Sequence, residues 1–342
     1  MPELRKDPII GRWVIIATER GKRPAAYPCK SQHDWGGFCP FCPGNETHTP
    51  SEVLSYRPAE TRKDAPGWWI RVVPNKFPAL QVEGQPKRMG VGMYDKINGV
   101  GAHEVIIESP KHDVSIADLP VRQVQEILWA YRDRSIELRK DKRFRYILIF
   151  KNHGRNAGAT LEHPHSQLIA LPIVPKRVQE EVDGSERYFE YKERCVFCDM
   201  INQELTDRVR IVDENDTFLS FLPFASRFPF ETWIIPKEHD VYFNDIQKNG
   251  VVDLARILKK TLKKIKYTLD DPDYNFLIHT TPFETGSAPY YHWHIEIIPK
   301  LTRVAGFEWG TGFYINPTAP EEAAKFLSDV KNGEQEDVPV SK

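Results

Sequence analysis

The sequence predicts an α+β chain in which one supersecondary unit is used twice, with helices packed on an antiparallel sheet. Three observations predict it. Two C-x-x-C pairs, Cys39 with Cys42 and Cys195 with Cys198, are each followed by an apolar run ending in "PKH" or "PKEH" and later by an H-x-H. From His112 to His163 is 51 residues and from His239 to His292 is 53, so the second half repeats the spacing of the first. Between these landmarks, each half carries a stretch of helical period and then a β-rich run.

Taken in order, "HEVIIESPKH" (103–112) is rich in β-branched residues and reads as a strand entering a loop. "LPVRQVQEILWAYRDRSIELRKD" (119–141) places apolar residues at helical spacing with charges opposite. "FRYILIFKN" (144–152) and "HSQLIALPIVP" (165–175) follow as strands and complete a first half over residues 1–175. The charged stretch "KRVQEEVDGSERYFEYKER" (176–194) is expected to be a connector or surface helix. The second half, 195–330, repeats the series with "ETWIIPKEH", "NGVVDLARILKKTLKKIKYTL", "YNFLIHTTP" and "HIEIIPKL". The polar tail 331–342 is expected to be disordered.

Composition excludes several function classes. With 47 basic and 48 acidic residues among 342, the net charge of −1 leaves no electrostatic footprint for nucleic acid or an anionic membrane. The sequence contains no run of eighteen apolar residues, and "MPELRKDPII" lacks the apolar core of a signal peptide. A soluble cytoplasmic protein without nucleic-acid or membrane partners is the expectation. In that setting a C-x-x-C reads as a metal or redox site before a structural disulfide. The fifth cysteine, Cys29, reads as a small apolar filler.

Zinc takes sulfur and imidazole ligands in tetrahedral sets of four. Two cysteines and two histidines recur at matching places in both halves. This assigns Cys39, Cys42, His112 and His163 to one zinc site, and Cys195, Cys198, His239 and His292 to a second. The choice of His292 over His294 rests on the repeat alone. A single ribbon built from all four cysteines is excluded, because the pairs lie 153 residues apart and such sites span roughly 15–20.

If His163 holds metal, His165, two residues on along a strand, shares its face and is left free. A neutral imidazole is a good nucleophile near pH 7 and also leaves readily, which suits double displacement at phosphorus. The preceding "FKNHGRNAGATLE" supplies Asn152, Gly158 and Thr160, residue types that let backbone N–H groups approach a phosphate. Gln167 lies on the same face and could donate to a phosphoryl oxygen.

"HPHSQ", together with "DPIIGRWVIIATERGKRP", "FCPFCPGNE", "VVPNKFPAL" and "FKNHGRNAG", resembles the galactose-1-phosphate uridylyltransferase family, the transferase branch of the histidine-triad superfamily. The resemblance runs from about residue 7 to about 317. It implies two tandem histidine-triad-like units and a ping-pong reaction through a nucleotidyl-His165, with Gln167 stabilising that intermediate. A nucleotide sugar and a sugar 1-phosphate would be the substrates, and a homodimer the assembly. Arg20 and Arg23 match residues contacting phosphates or hexose. Asn75 matches a ribose contact, and Asn152, Gly158 and Thr160 match a phosphate loop. In the C-terminal run "GFEWGTGFYINP", Phe307 and Glu308 stand where many members have hexose contacts, but no lysine is present. Ser166 also replaces the glycine of the commoner "HPHGQ". Both departures resemble a plant branch that acts as an ADP-glucose phosphorylase. Uridylyl transfer in galactose metabolism is the leading expectation, and adenylyl transfer to phosphate the alternative. Hydrolysis of nucleoside phosphoramidates or dinucleotides, and a non-enzymatic zinc-stabilised binding role, are the remaining readings. Gln167 argues against hydrolysis, which in this superfamily usually relies on a histidine there.

Overall fold

A computed structural model of the chain describes residues 1–22, 36–283, 285–286 and 288–330. Arg23, Cys29 and the tail at 331–342 lie outside the described residues. The chain opens with β1 (Glu3–Lys6) and β2 (Trp13–Ile16), then runs through β3 (Leu54–Tyr56), β4 (Ile70–Pro74) and a hairpin of β5 (Arg88–Val91) and β6 (Tyr94–Ile97). Next come β7 (Ala102–Ile107), α1 (Val121–Arg139), β8 (Tyr146–His153) and β9 (His165–Leu171). After α2 (Lys176–Lys192) and α3 (Val196–Asp207) the pattern repeats as β10 (Ile211–Glu214), β11 (Phe218–Phe221), β12 (Thr232–Pro236), α4 (Lys248–Thr268), β13 (Tyr274–His279) and β14 (His294–Pro299). The short helix α5 (Gly306–Thr311), β15 (Tyr314–Asn316) and α6 (Pro320–Ser328) follow.

The repeat is built into one sheet. Ten strands run in the order β10-β11-β12-β14-β13-β8-β9-β7-β4-β3, so each half contributes five strands in the same internal order. The halves meet edge to edge where β8 pairs antiparallel with β13, Asn152 opposite Asn275. A separate three-stranded sheet joins β1 and β2 to β15 near the end of the described chain.

Side-chain alternation sorts the sheet's two faces. Ile147, Ile149, Leu168, Phe276, Ile295 and Ile297 point to one side, into a core shared with α1 and α4. Helix α4 meets it with Val251, Leu254, Leu258, Leu262 and Ile265, spaced three or four residues apart. Each such large apolar side chain is worth about 1.5–3 kcal/mol on burial.

The opposite face carries His165 and Gln167 in the first half and His294 and Glu296 in the second. It is not left bare, as helices on one side alone would leave it. In the second half, Val178 and Val182 of α2 and Val196, Phe197 and Ile201 of α3 cover it against Leu219, Phe221 and Ile235. The charged stretch 176–194 is therefore more than a connector. Every third or fourth residue on one side of α2 (Val178, Glu181, Val182, Ser185) is buried, and the remaining charges face water.

Candidate active site

Strand β9 begins at His165, so the preceding His163-Pro164 stands at the strand's mouth. Ile107 pairs with His165 and Val105 with Gln167 on β7, while Phe150 on β8 also faces Gln167. The His165 ring is 7 % exposed and packs edge-on against Phe41, with ring centres 5.4 Å apart. Its Nδ1 lies 2.7 Å from the carbonyl oxygen of His163. A carbonyl can only accept, so Nδ1 carries the proton and the lone pair sits on Nε2. Burial pushes the His163 imidazole down to about 4 and lowers that of His165, so both rings are neutral near pH 7. Beside His165 lies a cavity of about 430 Å³ whose walls include Phe41, Val73, Asn75, Val105, Thr160 and Gln167. The nucleophile expected from the sequence is thus a fixed, neutral imidazole at the edge of a mostly apolar pocket.

A polar network supports it from behind. Ser166, facing away from the cavity, donates to Glu108 and lies 2.5 Å from the Tyr131 hydroxyl. Lys151 Nζ lies 2.6 Å from Glu108 Oε2 and 3.1 Å from the carbonyl oxygen of His165. Glu108, Tyr131, Lys151 and Ser166 are each at most 2 % exposed. Serine in place of glycine in "HPHSQ" is accounted for by this network, which glycine could not enter.

The loop after β8 makes a tight turn over Arg155–Ala157, flanked by two glycines with positive φ: Gly154 at 81° and Gly158 at 92°. Asp273, from the second half, accepts the backbone N–H and side-chain amide of Asn156, both at 2.7 Å. A Cβ on Gly154 would fall 1.8 Å from Asp273 Oδ1. Gly154→Ala is therefore expected to cost about 2 kcal/mol or more, from left-handed strain plus loss of the Asp273 clasp. Urea unfolding measures it, and an unchanged midpoint would show that the clasp is not needed.

Both cysteine–histidine groups assemble. Cys39, Cys42, His112 and His163 place their donor atoms within 4.8 Å of one another, as do Cys195, Cys198, His239 and His292. Cys42 Sγ lies 3.3 Å from His112 Nδ1 and 3.6 Å from His163 Nδ1, and Cys198 Sγ lies 3.4 and 3.8 Å from the equivalent nitrogens of His239 and His292. A tetrahedral centre with bonds of about 2.3 Å to sulfur and 2.0–2.1 Å to nitrogen has S–N edges of about 3.5 Å. His163 Nε2 donates to the Ser109 carbonyl at 2.7 Å, which leaves Nδ1 with its lone pair toward the thiols. Burial and the adjacent Cys39 push the Cys42 thiol up to about 11; a dication among the donors would reverse that. The donor set and spacing fit a structural metal ion.

His294, the other member of the second H-x-H, lies apart from that group. It joins Glu181 and His279 in a third cluster, which was not among the expected sites because Glu181 sits in the charged stretch read as a connector or surface helix. Its position corresponds to that of His165, but the chemistry does not. Trp233, which pairs with Glu296 as Val105 pairs with Gln167, stacks on the His294 ring at 4.4 Å. Burial pushes His294 down to about 3, and it is 1 % exposed. Glu296 takes Gln167's place and is engaged by Arg227, Arg177 and His279. A larger cavity of about 470 Å³ lies on this side, but Trp233 stands where Val105 leaves His165 open. Buried ion pairing has replaced an accessible imidazole.

Not every expected residue converges. Asn75 and Thr160 line the cavity with His165 and Gln167, Asn152 stands near the end of β8, and Gly158 lies in the loop that follows. Arg20 is exposed in a short turn over Thr18–Lys22 and does not line the cavity. Phe307 and Glu308 lie on α5, also away from its walls, and Glu308 accepts the Ala305 backbone N–H at 3.0 Å as a helix cap. His103, whose Nε2 lies 2.8 Å from Gln167 Oε1, was not among the residues expected from the sequence. Nothing in the pattern of "HEVIIE" marks a partner 64 residues away.

The fold and site find relatives. The family described as "Galactose-1-phosphate uridyl transferase, N-terminal domain" matches residues 1–175, and the corresponding C-terminal domain matches 181–326. An ADP-glucose phosphorylase of Arabidopsis thaliana is 40 % identical over 336 residues, covering 96 % of this chain and 93 % of its own. A galactose-1-phosphate uridylyltransferase of Thermotoga maritima is 30 % identical over 341 residues, covering 97 % and 99 %. Among solved structures, an Arabidopsis thaliana ADP-glucose phosphorylase with bound ADP-glucose superposes with a TM-score of 0.85 at 40 % identity, covering 97 % of this chain and 99 % of that one.

Proposed function

The chain belongs to the galactose-1-phosphate uridyl transferase family, and from that premise we propose that it transfers a nucleotidyl group by double displacement through His165. The observation that carries this is the Nδ1–H bond to the His163 carbonyl, which leaves Nε2 as the nucleophilic atom beside the cavity. Nε2 attacks the α-phosphorus of a nucleoside diphosphate sugar. A P–N bond forms, the P–O bond to the sugar 1-phosphate breaks, and that phosphate leaves with the electron pair. As the ring becomes cationic, the retained Nδ1–H bond to carbonyl stabilises it. An acceptor phosphate then attacks from oxygen, and the P–N bond returns its electrons to Nε2. Gln167 and Asn152 offer amide N–H groups to the non-bridging oxygens, where charge develops.

Cys39, Cys42, His112 and His163 would hold one zinc ion, and Cys195, Cys198, His239 and His292 a second. A structural zinc ion supplies folding energy and rigidity, not a reaction step. We place the enzyme in the cytoplasm, where its thiols stay reduced and available as ligands. We also take it to be a homodimer, an assembly that leaves Arg20, Phe307 and Glu308 free to complete a neighbouring chain's site.

For the substrate we favour ADP-glucose, with inorganic phosphate as acceptor and ADP and glucose 1-phosphate as products. The higher identity and fuller structural match to an ADP-glucose phosphorylase support this over the uridylyl reading that the sequence alone ranked first. The uridylyl reading stays as the second, because a uridylyltransferase aligns end to end at 30 % identity. Intact mass spectrometry after incubation with each nucleotide sugar, without acceptor, separates them. A gain of one AMP from ADP-glucose alone is the expected result. A gain of UMP alone would restore uridylyl transfer, and no gain from either would overturn the covalent mechanism.

A further inference from the structure

We infer that His103 and Asn275 are positioning residues for this transfer. Each occupies the carboxamide oxygen of a neighbouring amide, Gln167 or Asn152, so that both amides turn their N–H groups toward the group held on His165. The inference rests on the reading of His165 as the nucleophile.

Oxygen and nitrogen of a carboxamide are assigned from their partners, and here the contacts to fixed backbone groups decide. The backbone N–H of Ala79 lies 3.1 Å from His103 Nδ1. An N–H only donates, so Nδ1 accepts, and the neutral ring carries its proton on Nε2. That Nε2–H faces Gln167 at 2.8 Å, which must present Oε1 and keep its NH₂ for the cavity. Asn75 differs. Its Oδ1 accepts from the Phe77 N–H at 2.9 Å, so its Nδ2, 3.1 Å from the protonated Nε2, meets a second donor there and makes no hydrogen bond to it.

The second chain of contacts comes from the other half of the molecule. Asn275 Nδ2 lies 2.8 Å from the Ala157 carbonyl and 2.9 Å from Asn152 Oδ1. The Ala157 carbonyl can only accept, so Asn275 presents its NH₂, and only the oxygen of Asn152 can face it. The amide nitrogen of Asn152 is then turned toward Gly158, where a Cβ would lie 3.6 Å from it. Asn152 stands two residues beyond the Phe150–Gln167 pair and His165 two residues before it, on the same face of neighbouring strands. Because Asn275 pairs with Asn152 across β8 and β13, the second half has lost its own accessible histidine but orients a phosphate-facing amide of the first. Merely structural amides would need only to be satisfied, in either sense. These are satisfied on the oxygen side alone.

The test changes donor sense while keeping shape. Asn275→Asp can only accept, so Asn152 must turn its NH₂ away from the phosphate and its oxygen toward it. Formation of the His165 adduct from ADP-glucose or UDP-glucose, followed by rapid quench and intact mass, should slow about 100-fold, the scale of one lost oxyanion donor. KM and metal content should change little, and the melting temperature should fall by only a few degrees, from loss of the bond to the Ala157 carbonyl. Independently, His103→Phe should slow the same step, and His103→Gln, which keeps an N–H at that reach, should recover most of the rate. Asn275→Asp reacting within threefold of wild type, or His103→Phe and His103→Gln behaving alike, would overturn the inference. No adduct in the wild type with either substrate would instead overturn the proposed function and the inference with it.

Discussion

Replacing His165 with alanine is expected to abolish covalent nucleotidylation and lower turnover by about 10⁴- to 10⁶-fold, the scale seen when a nucleophile acting within a catalytic unit is removed. The histidines bonded beside it, and the one at its equivalent place in the second half, cannot take over. His163 directs Nδ1 at Cys42 and Nε2 at the Ser109 carbonyl, so neither nitrogen is free. His103 is bonded through both ring nitrogens. His294 is sealed beneath Trp233 in the other half. The loss should come without unfolding. His165 stands outside the metal-binding group, and the contacts that fix its strand run through its backbone carbonyl to Lys151 and through Ser166 to Glu108. The variant should therefore keep its melting temperature within a few degrees and keep both metal equivalents. Intact mass spectrometry in the absence of acceptor reads the adduct, and product formation with acceptor reads turnover. A variant that still gains one nucleotidyl group would place the nucleophile elsewhere. One that turns over at the wild-type rate without an adduct would make the reaction a direct displacement, with His165 a spectator.

What was legible in the sequence follows from periodicity and chain spacing. The two C-x-x-C pairs, the two H-x-H motifs and the helical stretches between them announced a duplicated unit, and ten strands in one sheet realise it. The shared face of His165 and Gln167 was legible because residues two apart in a strand point the same way. The contacts that were not legible depend on which edge meets which. Asp273 and Asn275 reach the first half's loop only because β13 lies beside β8, and no local pattern specifies that seam. His103 looks like any half-buried strand residue until β7 is laid beside β9. Glu181 was hidden by its charged neighbours, since a helix with one buried side and three wet ones has a high mean polarity. The chemistry that failed in the second half was equally silent. A tryptophan in place of Val105 and a glutamate in place of Gln167 are ordinary strand residues until the repeat is superposed on itself.

Cys39→Ala should remove one zinc equivalent per chain and cost several kcal/mol of stability, lowering the melting temperature by about 10 °C or more. Structural zinc in small domains contributes about 10–16 kcal/mol of binding energy at neutral pH, comparable with the whole stability of a domain. The consequence reaches the chemistry. Cys39, Phe41, Trp68, Val73, Val105 and Ile107 form one apolar cluster over the His165 face of the sheet. Within it, Trp68 Nε1 donates to Glu46 and the Asn45 amide to the Cys39 carbonyl, so the loop is folded around its cysteines. Losing the ion frees His112 and His163, and the carbonyl of His163 is what orients His165. Nucleotidylation should therefore fall with zinc content. Cys195→Ala serves as the contrast. It should release the other equivalent and destabilise the packing of α3, yet slow nucleotidylation far less, because among the described residues no hydrogen bond runs from its group to His165. Elemental analysis, melting and adduct formation on the two variants read all three quantities. If Cys39→Ala kept two zinc ions and full activity, the first group would not be a metal site. If both variants lost activity equally, the two halves would unfold as one, and the seam between β8 and β13, not the metal, would govern the nucleophile's geometry.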